Sequence, residues 1–361
     1  MKPGQQFGEK TSSRIPFAQS RSKNAVASIC PACGRLGDFA LIEQFGRFSL
    51  FHCPDCDLAF WYPREMPDAL WYEGMYSPRD AALMLLEPGH NYFLSDKNAP
   101  AQGELLDVGC GTGNFLAAAR DAGYSVSGIE LDGNAARFAK ERLGLGRVLP
   151  LTIGQFAARY SSQKFDVITF FEVLEHQADP EAFLDAVTAC LRPQGWIALS
   201  VPNRHRWMTG IDVLDYPPNH FLRWSSAALQ RFLVSRGFEI LTTREQPAGI
   251  SHTAQMFNMA LRTGMTRRVA GKEDASFRDL AQMAPERAAA AVNTAPSLRR
   301  RIVQLFSHAK RLACYPPAFL AFPYIRLRRK KGTYLYCLAR RLDEKGLSAL
   351  KSGIEMGKRG C

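Results

Sequence analysis

The 361-residue chain has no apolar run near the ~20 residues that a membrane-spanning helix needs. Its first residues, Met1 to Asn24, lack the apolar core of a secretory signal. They are polar and rich in Gly, Ser, Gln and cations, so residues 1–27 are expected to be a disordered leader of a cytoplasmic protein. An even cysteine count is also missing: there are nine, which does not suit a framework of paired disulfides. In a reducing compartment, Cys-x-x-Cys spacing points instead to metal. Acids are absent from Ser297 to Lys331, a segment that holds ten Lys or Arg. The net charge of +12 is therefore largely a property of that segment. Such a concentration points to an anionic surface at that segment, either membrane or nucleic acid.

What is present is enough apolar residue, 46% of the chain, for one sizeable α/β domain with appendages. Near the start, in residues 28–62, stand Cys30-Pro-Ala-Cys33 and Cys53-Pro-Asp-Cys56, with 19 residues between the pairs. Two such knuckles can supply four thiolates to a tetrahedral Zn²⁺, with short strands expected at Phe39 to Ile42 and Phe48 to His52. Four thiolates leave no open coordination position, so the ion reads as structural. Its binding would supply stability that so small a module cannot draw from apolar burial. His52 reads as a strand residue rather than a ligand. Residues 63–100 form a connector broken by five prolines and punctuated by Trp71, Tyr72, Tyr76, Tyr92 and Phe93, after Trp61 and Tyr62. These aromatics suit either packing of the ribbon on the main domain or the lining of a substrate entrance.

From Glu104 to about residue 250, strand and helix patterns alternate. Strands are expected at 105–108, 124–130, 147–149, 165–171, 195–201 and 238–243, and helices at 115–122, 134–143, 154–160, 179–191 and 225–235. A last strand follows at 332–339. The pattern predicts a doubly wound, mostly parallel, Rossmann-like α/β sheet of seven strands, the last antiparallel. Residues 251–331 then read as a helical, basic and apolar insertion before the final core strand at 332–342, and 343–361 as a loose tail. Within the insertion, helix is expected near 278–283 and 286–292. Leu298, Ile302, Leu305, Ala309 and Leu312 make one helical stripe. Pro316, Pro317 and Pro323 interrupt the uncharged run that follows, against a simple spanning helix.

The stretch Leu105-Leu-Asp107-Val-Gly109-Cys-Gly111-Thr-Gly113-Asn114 carries the clearest chemistry. An apolar strand runs into an acid, and three glycines at alternate positions lead into a helix. This is not the G-x-G-x-x-G spacing of a dinucleotide site. Asp107 and Glu130 close two successive strands and belong at the carboxyl edge of a parallel sheet, where ligands bind. Glu130 is placed to accept from both hydroxyls of a ribose, and the glycine turn lets a ligand pass close to backbone. A cofactor combining ribose, adenine and an amino-acid tail suits these groups.

Four segments in order now matter together: Asp107-Val-Gly-Cys-Gly-Thr-Gly113, Gly128-Ile-Glu130-Leu-Asp132, Phe165-Asp-Val-Ile-Thr-Phe-Phe-Glu-Val-Leu-Glu-His176 and Leu191 to Asn203. They resemble the successive motifs of class I S-adenosylmethionine-dependent methyltransferases, over about residues 101–245. With its cysteine-rich module and Pro218-Asn-His220-Phe, the chain is similar to a subset that includes sugar C-methyltransferases. The ubiquinone O-methyltransferase type shares the core motifs. The resemblance implies S-adenosylmethionine as cofactor, with Asp107, Gly109, Gly111 and Gly113 around its methionine part. It implies Glu130 on the ribose, Leu131 against the adenine, Gln155 and Phe156 near the adenine edge, and Phe171 and Glu172 beside the methyl group. The acid frequent in the family at the adenine edge is absent here.

If the acceptor is a hydroxyl or a carbon acid, a base must take its proton. His176 and His220 are the expected candidates, with Glu172 and Glu175 behind them, and a purely structural role for both histidines stays open. The favoured reading is O- or C-methylation of a small-molecule, sugar or lipid-linked acceptor, for cell-surface glycan or lipid biosynthesis. Segment 297–331 would then touch an anionic membrane at its inner face through Tyr315, Phe319, Phe322 and Tyr324. RNA methylation with phosphates gripped by that segment, a segment that only covers the pocket, and a non-catalytic zinc-ribbon scaffold are the alternatives. The acceptor atom and the oligomeric state are not written in these motifs.

Overall fold

The computed structural model describes residues 29–66, 86–206, 215–250, 313–327 and 332–343, with isolated positions at 253–258 and 345–348. Its elements, in chain order, begin with β1 (Ala40–Phe45), β2 (Phe48–His52), β3 (Ala59–Tyr62) and α1 (Pro88–Leu94). There follow β4 (Glu104–Val108), α2 (Asn114–Asp121), β5 (Ser125–Ile129), α3 (Gly133–Leu143), β6 (Val148–Leu149), α4 (Ile153–Arg159) and β7 (Phe165–Phe171). A 3₁₀ turn (Leu174–His176), α5 (Pro180–Cys190), β8 (Leu191–Pro202), β9 (Leu222–Arg223), α6 (Ser226–Val234), β10 (Phe238–Glu245), α7 (Tyr315–Leu327) and β11 (Tyr334–Arg341) complete the described chain.

Seven strands lie in the order β10-β11-β8-β7-β4-β5-β6. Neighbours from β8 to β6 are parallel, and β11 is inserted antiparallel between β8 and β10. This is the doubly wound sheet with a final antiparallel strand that the alternation of patterns implies. The central strand β7, FDVITFF, is almost wholly buried, as expected where helices cover both faces. Helix starts carry their own signals. Asp132 accepts from Asn134 N and Ala135 N, Thr152 and Gln155 form a capping box, and Asp179 and Ser225 cap α5 and α6.

A second sheet, β1-β2-β3-β9, departs from the sequence reading. The cysteine-rich module has a third strand, and its outer neighbour comes from the main domain: Phe60 pairs with Leu222 and Ala59 with Arg223. Trp61 N donates to Phe221 O, and Arg204 donates to both the carbonyl and the carboxylate of Asp57. Phe39, Phe60 and Trp61 share one apolar core with Trp224, Phe232 and Leu199. The ribbon is thus built into the domain wall. Strand β3 is a four-residue apolar run and β9 has only two residues, Leu222 and Arg223, so neither has a period to read.

Helix α1 was also not legible. It packs over the sheet with Phe93 against Phe115 and Tyr124, so this aromatic and the buried Trp61 serve packing. Trp71, Tyr72 and Tyr76 lie outside the described residues, as do the helices expected at 278–283 and 286–292 and the stripe from Leu298 to Leu312. Helix α7 does form, with Pro316 and Pro317 near its start and Pro323 inside. Its 13 residues reach about 20 Å, short of the ~30 Å of a bilayer core. Among the described residues, no helix is long and apolar enough to cross a membrane.

Candidate active site

Three neighbouring parallel strands, β7, β4 and β5, each bring an acid to the same edge of the sheet: Glu172, Asp107 and Glu130. The glycine turn follows β4. Gly109, Gly111 and Gly113 all have positive φ, at 73°, 53° and 81°. At Gly109 a Cβ would meet Val173 at 2.7 Å, and at Gly113 it would meet Leu145 at 2.5 Å. At Gly111 it would meet nothing within 4 Å. The first and third glycines are therefore needed for packing, and the middle one borders open space that a ligand can use.

Glu130 faces that turn. Its carboxylate accepts from Gly111 N and from Asp132 N, each at 2.8 Å. Burial pushes its carboxyl up, while those two backbone N–H groups pull the other way. Asp107 is buried and accepts from Thr169 Oγ1 at 2.6 Å. Desolvation drives its carboxyl up to about 8, against the Thr169 hydrogen bond and with help from Glu130. Acids that cannot ionise cheaply alone are suited to a cationic ligand, whose charge stabilises the ionised form.

Glu172 continues β7 and holds φ at 54°, in the left-handed region that a non-glycine residue rarely adopts. It accepts from Ser200 Oγ at 2.7 Å. Desolvation and the neighbouring Glu87 raise its carboxyl to about 8. With Glu87, Pro88, Gly89, Ser200 and Tyr334 it lines a cavity of about 120 Å³. One wall is the start of α1. A Cβ at Gly89 would meet Ser200 Oγ at 2.9 Å, so the helix approaches the strand at glycine distance. His90, on the same helix, is wedged between Phe115 and Phe171, and desolvation lowers it to about 4, which keeps it neutral. Sequence reasoning missed Glu87, His90, Ser200 and Tyr334, because only the fold brings α1 and β11 to this edge.

The other expected residues separate. Phe171 is buried at the edge beside Phe115, and Leu131 is half-buried just past Glu130. Phe156, by contrast, faces inward among Tyr160 and Phe165. Gln155 spends its side chain on the capping box with Thr152. Neither makes a described contact with the glycine turn, because α4 puts its apolar face on the core and its N-terminal polar group on its own backbone.

His176 and His220 do meet, with ring centroids 4.7 Å apart. His176 Nδ1 donates to Asn219 O at 2.7 Å, and burial lowers His176 to about 3, with His220 adding to the effect. His220 Nδ1 lies 3.5 Å from Asp215. Burial works against ionisation of Asp215, but the Arg206 guanidinium, paired to both its oxygens, and His220 hold its carboxyl well below the usual range. Neither imidazole is among the residues that line the cavity around Glu172.

In the ribbon, Cys30 Sγ lies 3.6 Å from Cys56 Sγ, and Cys33 Sγ lies 3.7 Å from Cys53 Sγ. All four are free thiols. Tetrahedral Zn–S bonds of about 2.3 Å put sulfurs about 3.8 Å apart, so the spacing already matches such a site. His52 instead contacts Asp57 at 3.1 Å.

Residues 84–243 match a family profile described as a methyltransferase domain. The segment is a class I S-adenosylmethionine-dependent methyltransferase domain. Relatives of this segment include the ubiquinone biosynthesis O-methyltransferase of Thiobacillus denitrificans, 36% identical over 114 residues, covering 30% of this chain and 49% of that protein. The Haemophilus ducreyi protein of the same name is 33% identical over 146 residues, covering 37% of this chain and 59% of its own. The chain thus spans about half the length of these curated relatives. A methyltransferase structure from Archaeoglobus fulgidus overlays 75% of this chain and 98% of its own, at 15% identity and a TM-score of 0.43.

Proposed function

We propose that the protein transfers a methyl group from S-adenosylmethionine to a hydroxyl oxygen of a small molecule. The observation that carries this reading is the set of three acids, Asp107, Glu130 and Glu172, at the tips of three adjacent parallel strands, with the open Gly111 turn among them. The residues fit the cofactor: an acid aimed at the turn for a ribose, a backbone bend with room over it, and carboxyls that gain from a nearby cation. When bound, the cofactor supplies a methyl group activated by a sulfonium. Glu130 would hold the ribose hydroxyls while keeping Gly111 N in place, with Leu131 against the adenine. Asp107 would balance the positive charge at the methionine end, and Phe171 would bound the methyl-transfer zone.

The base in this reading is Glu172 rather than either histidine. Glu172 lines the cavity, and a carboxyl raised to about 8 is close to the optimum for accepting a proton near neutral pH. Ser200 orients it, and Tyr334 also lines the cavity. Alignment by these walls and the exclusion of water by α1 are the main contributions left for the protein to make. The relatives named for ubiquinone biosynthesis favour oxygen over carbon as the acceptor atom. Calorimetry with S-adenosylmethionine, then a screen of phenols, catechols and sugars for methyl acceptance, tests the assignment. Absence of cofactor binding would end it.

In the ribbon, we infer one structural Zn²⁺ on Cys30, Cys33, Cys53 and Cys56. The four sulfurs leave no open position, and the module's role is to brace β9 and the segment that follows β8.

A further inference from the structure

The cavity around Glu172 holds a second acid that the proposed chemistry does not use. Glu87 is the N-cap of α1, with Pro88 as the first helical residue and His90 completing a capping box. Gly89 sets how closely this cap lies on the sheet. A Cβ there would fall 2.9 Å from Ser200 Oγ and 3.0 Å from Phe171 Cδ1, so only glycine lets the helix start rest on the ends of β7 and β8. Ser200 in turn donates to Glu172 at 2.7 Å, so one hydroxyl borders both the helix start and the acid that follows β7. Glu87 and Glu172 thus line one cavity, of about 120 Å³, together with Pro88, Gly89, Ser200 and Tyr334.

Their exposure differs in order. Glu87 is exposed, Glu172 and Tyr334 are half-buried, and Ser200 is buried. Glu87 therefore stands at the mouth of the cavity and Glu172 further in. None of the six lining residues is a cation. The groups that act on Glu172 from the elements around it are Glu87 on α1, Tyr334 on β11, Glu175 and His176 on the 3₁₀ turn, and Arg206 with Asp215 beyond β8. Arg206 is the positive member of that set, and it is paired to both oxygens of Asp215. Burial keeps Glu175 protonated and His176 neutral. Among the described residues, the cavity is left with two carboxyls and no counter-charge. Like charges at one site resist ionising together, so such a pair gives up its protons in two separated steps.

We propose that Glu87 determines acceptor specificity: it shares one proton with Glu172 and turns away acceptors that carry a carboxylate or a phosphate beside the reacting hydroxyl. This role rests on the methyltransferase reading and narrows its substrate class to hydroxyl compounds that are neutral or cationic around the reacting oxygen. The acceptor's proton goes to Glu172 in that reading, and Glu87 takes no part in bond making. An incoming anion meets Glu87 first. In a small, desolvated cavity its charge is repelled far more strongly than in bulk water, and that repulsion selects against the wrong acceptor. Glu87 also acts through Glu172, because a negative charge at the mouth raises the proton affinity of the acid further in.

The direct test needs no cofactor. Glutamate carboxyls of the full chain are labelled with carbon-13 and titrated by NMR, with Glu87→Gln and Glu172→Gln identifying the two signals. Glu172 should titrate at about 8 in the wild-type chain. Glu87→Gln, which keeps an oxygen for the helix cap, should lower that midpoint by about one pH unit, a roughly tenfold loss of proton affinity. An unmoved midpoint in folded Glu87→Gln overturns this role. If that variant does not fold, the wild-type curves decide: two coupled steps seen at both signals support it, and two independent single steps overturn it. Turnover gives the second readout, with 3,4-dihydroxybenzamide and 3,4-dihydroxybenzoate as paired probes. The amide should exceed the carboxylate in kcat/KM by about tenfold or more, and Glu87→Gln should bring the two within about threefold. Preference for the carboxylate, or a ratio that the variant leaves unmoved, overturns the specificity. Cofactor calorimetry on the same samples reports separately on the methyltransferase reading.

Discussion

Asp107 and Glu172 share a physical problem: each is a carboxyl that the fold desolvates until it holds its proton up to about pH 8. For Asp107 the sign follows from linkage. The folded value lies above the unfolded one, so the cofactor-free fold loses stability as pH rises from about 4 to about 8. Asp107→Asn keeps an oxygen for the Thr169 hydroxyl and removes the ionisable group. It should stabilise the cofactor-free protein at pH 8 by about 1–3 kcal/mol and weaken S-adenosylmethionine binding, which thermal melting and calorimetry will read. In the wild-type chain, cofactor affinity should fall as pH drops below about 8, by up to roughly tenfold per unit, because binding a cation must displace a proton. Asp107→Asn should flatten that slope. Glu172 is placed to act in turnover itself. Glu172→Gln preserves the Ser200 contact and should lower kcat by about 10²–10⁴-fold while cofactor affinity stays within a few-fold. An unchanged kcat would return the base to another group.

At the scale of elements, the glycine turn and α1 make the site, and they differ in how far the sequence foretold them. The turn was legible because each glycine has a local reason. Gly113 combines a φ of 81° with Leu145 and Ala139 at the place of its missing Cβ. Gly113→Ala should therefore destabilise the domain by about 1–3 kcal/mol, read as a lower melting temperature. The strand ends were legible too, since Glu130 and Glu172 each follow an apolar run with strand composition. What could not be read was α1. Its seven residues open with Pro88 and Gly89, and its contacts are made with Phe115, Phe171 and Ser200, distant in sequence. Phe156 shows the reverse: a resemblance gives a position in a motif, while the apolar face of α4 turns that side chain toward Tyr160 and Phe165. Gly89→Val, which would press on Ser200 beside the cavity, should raise the KM for the acceptor more than that for the cofactor. Equal effects on both would mean that α1 does not border the acceptor.

Across the whole molecule, the ribbon and the methyltransferase domain are one packing unit. Sequence composition drew a border near residue 62, but β9 crosses it, and Trp61 is buried against Tyr216 with Arg223 over its ring. The same segment, from Asp215 to Arg223, holds His220 and the anchor of His176. Loss of the metal inferred for the ribbon should therefore have consequences beyond the ribbon. Metal binding in small thiolate modules is worth on the order of 10 kcal/mol, comparable to the entire stability of a domain. If the ribbon folded alone, removing its ion would melt three short strands and leave the Rossmann-like sheet untouched. Because β3 pairs with β9 and both sides contribute to one core, removal should propagate into residues 215–224. Cys53→Ser is expected to lower the melting temperature of the whole chain in a single transition, and hydrogen exchange should rise at Phe221 and Leu222 as well as at Phe51 and Phe60. Two separate transitions, or exchange confined to the ribbon, would show that the metal site and the catalytic domain are energetically independent.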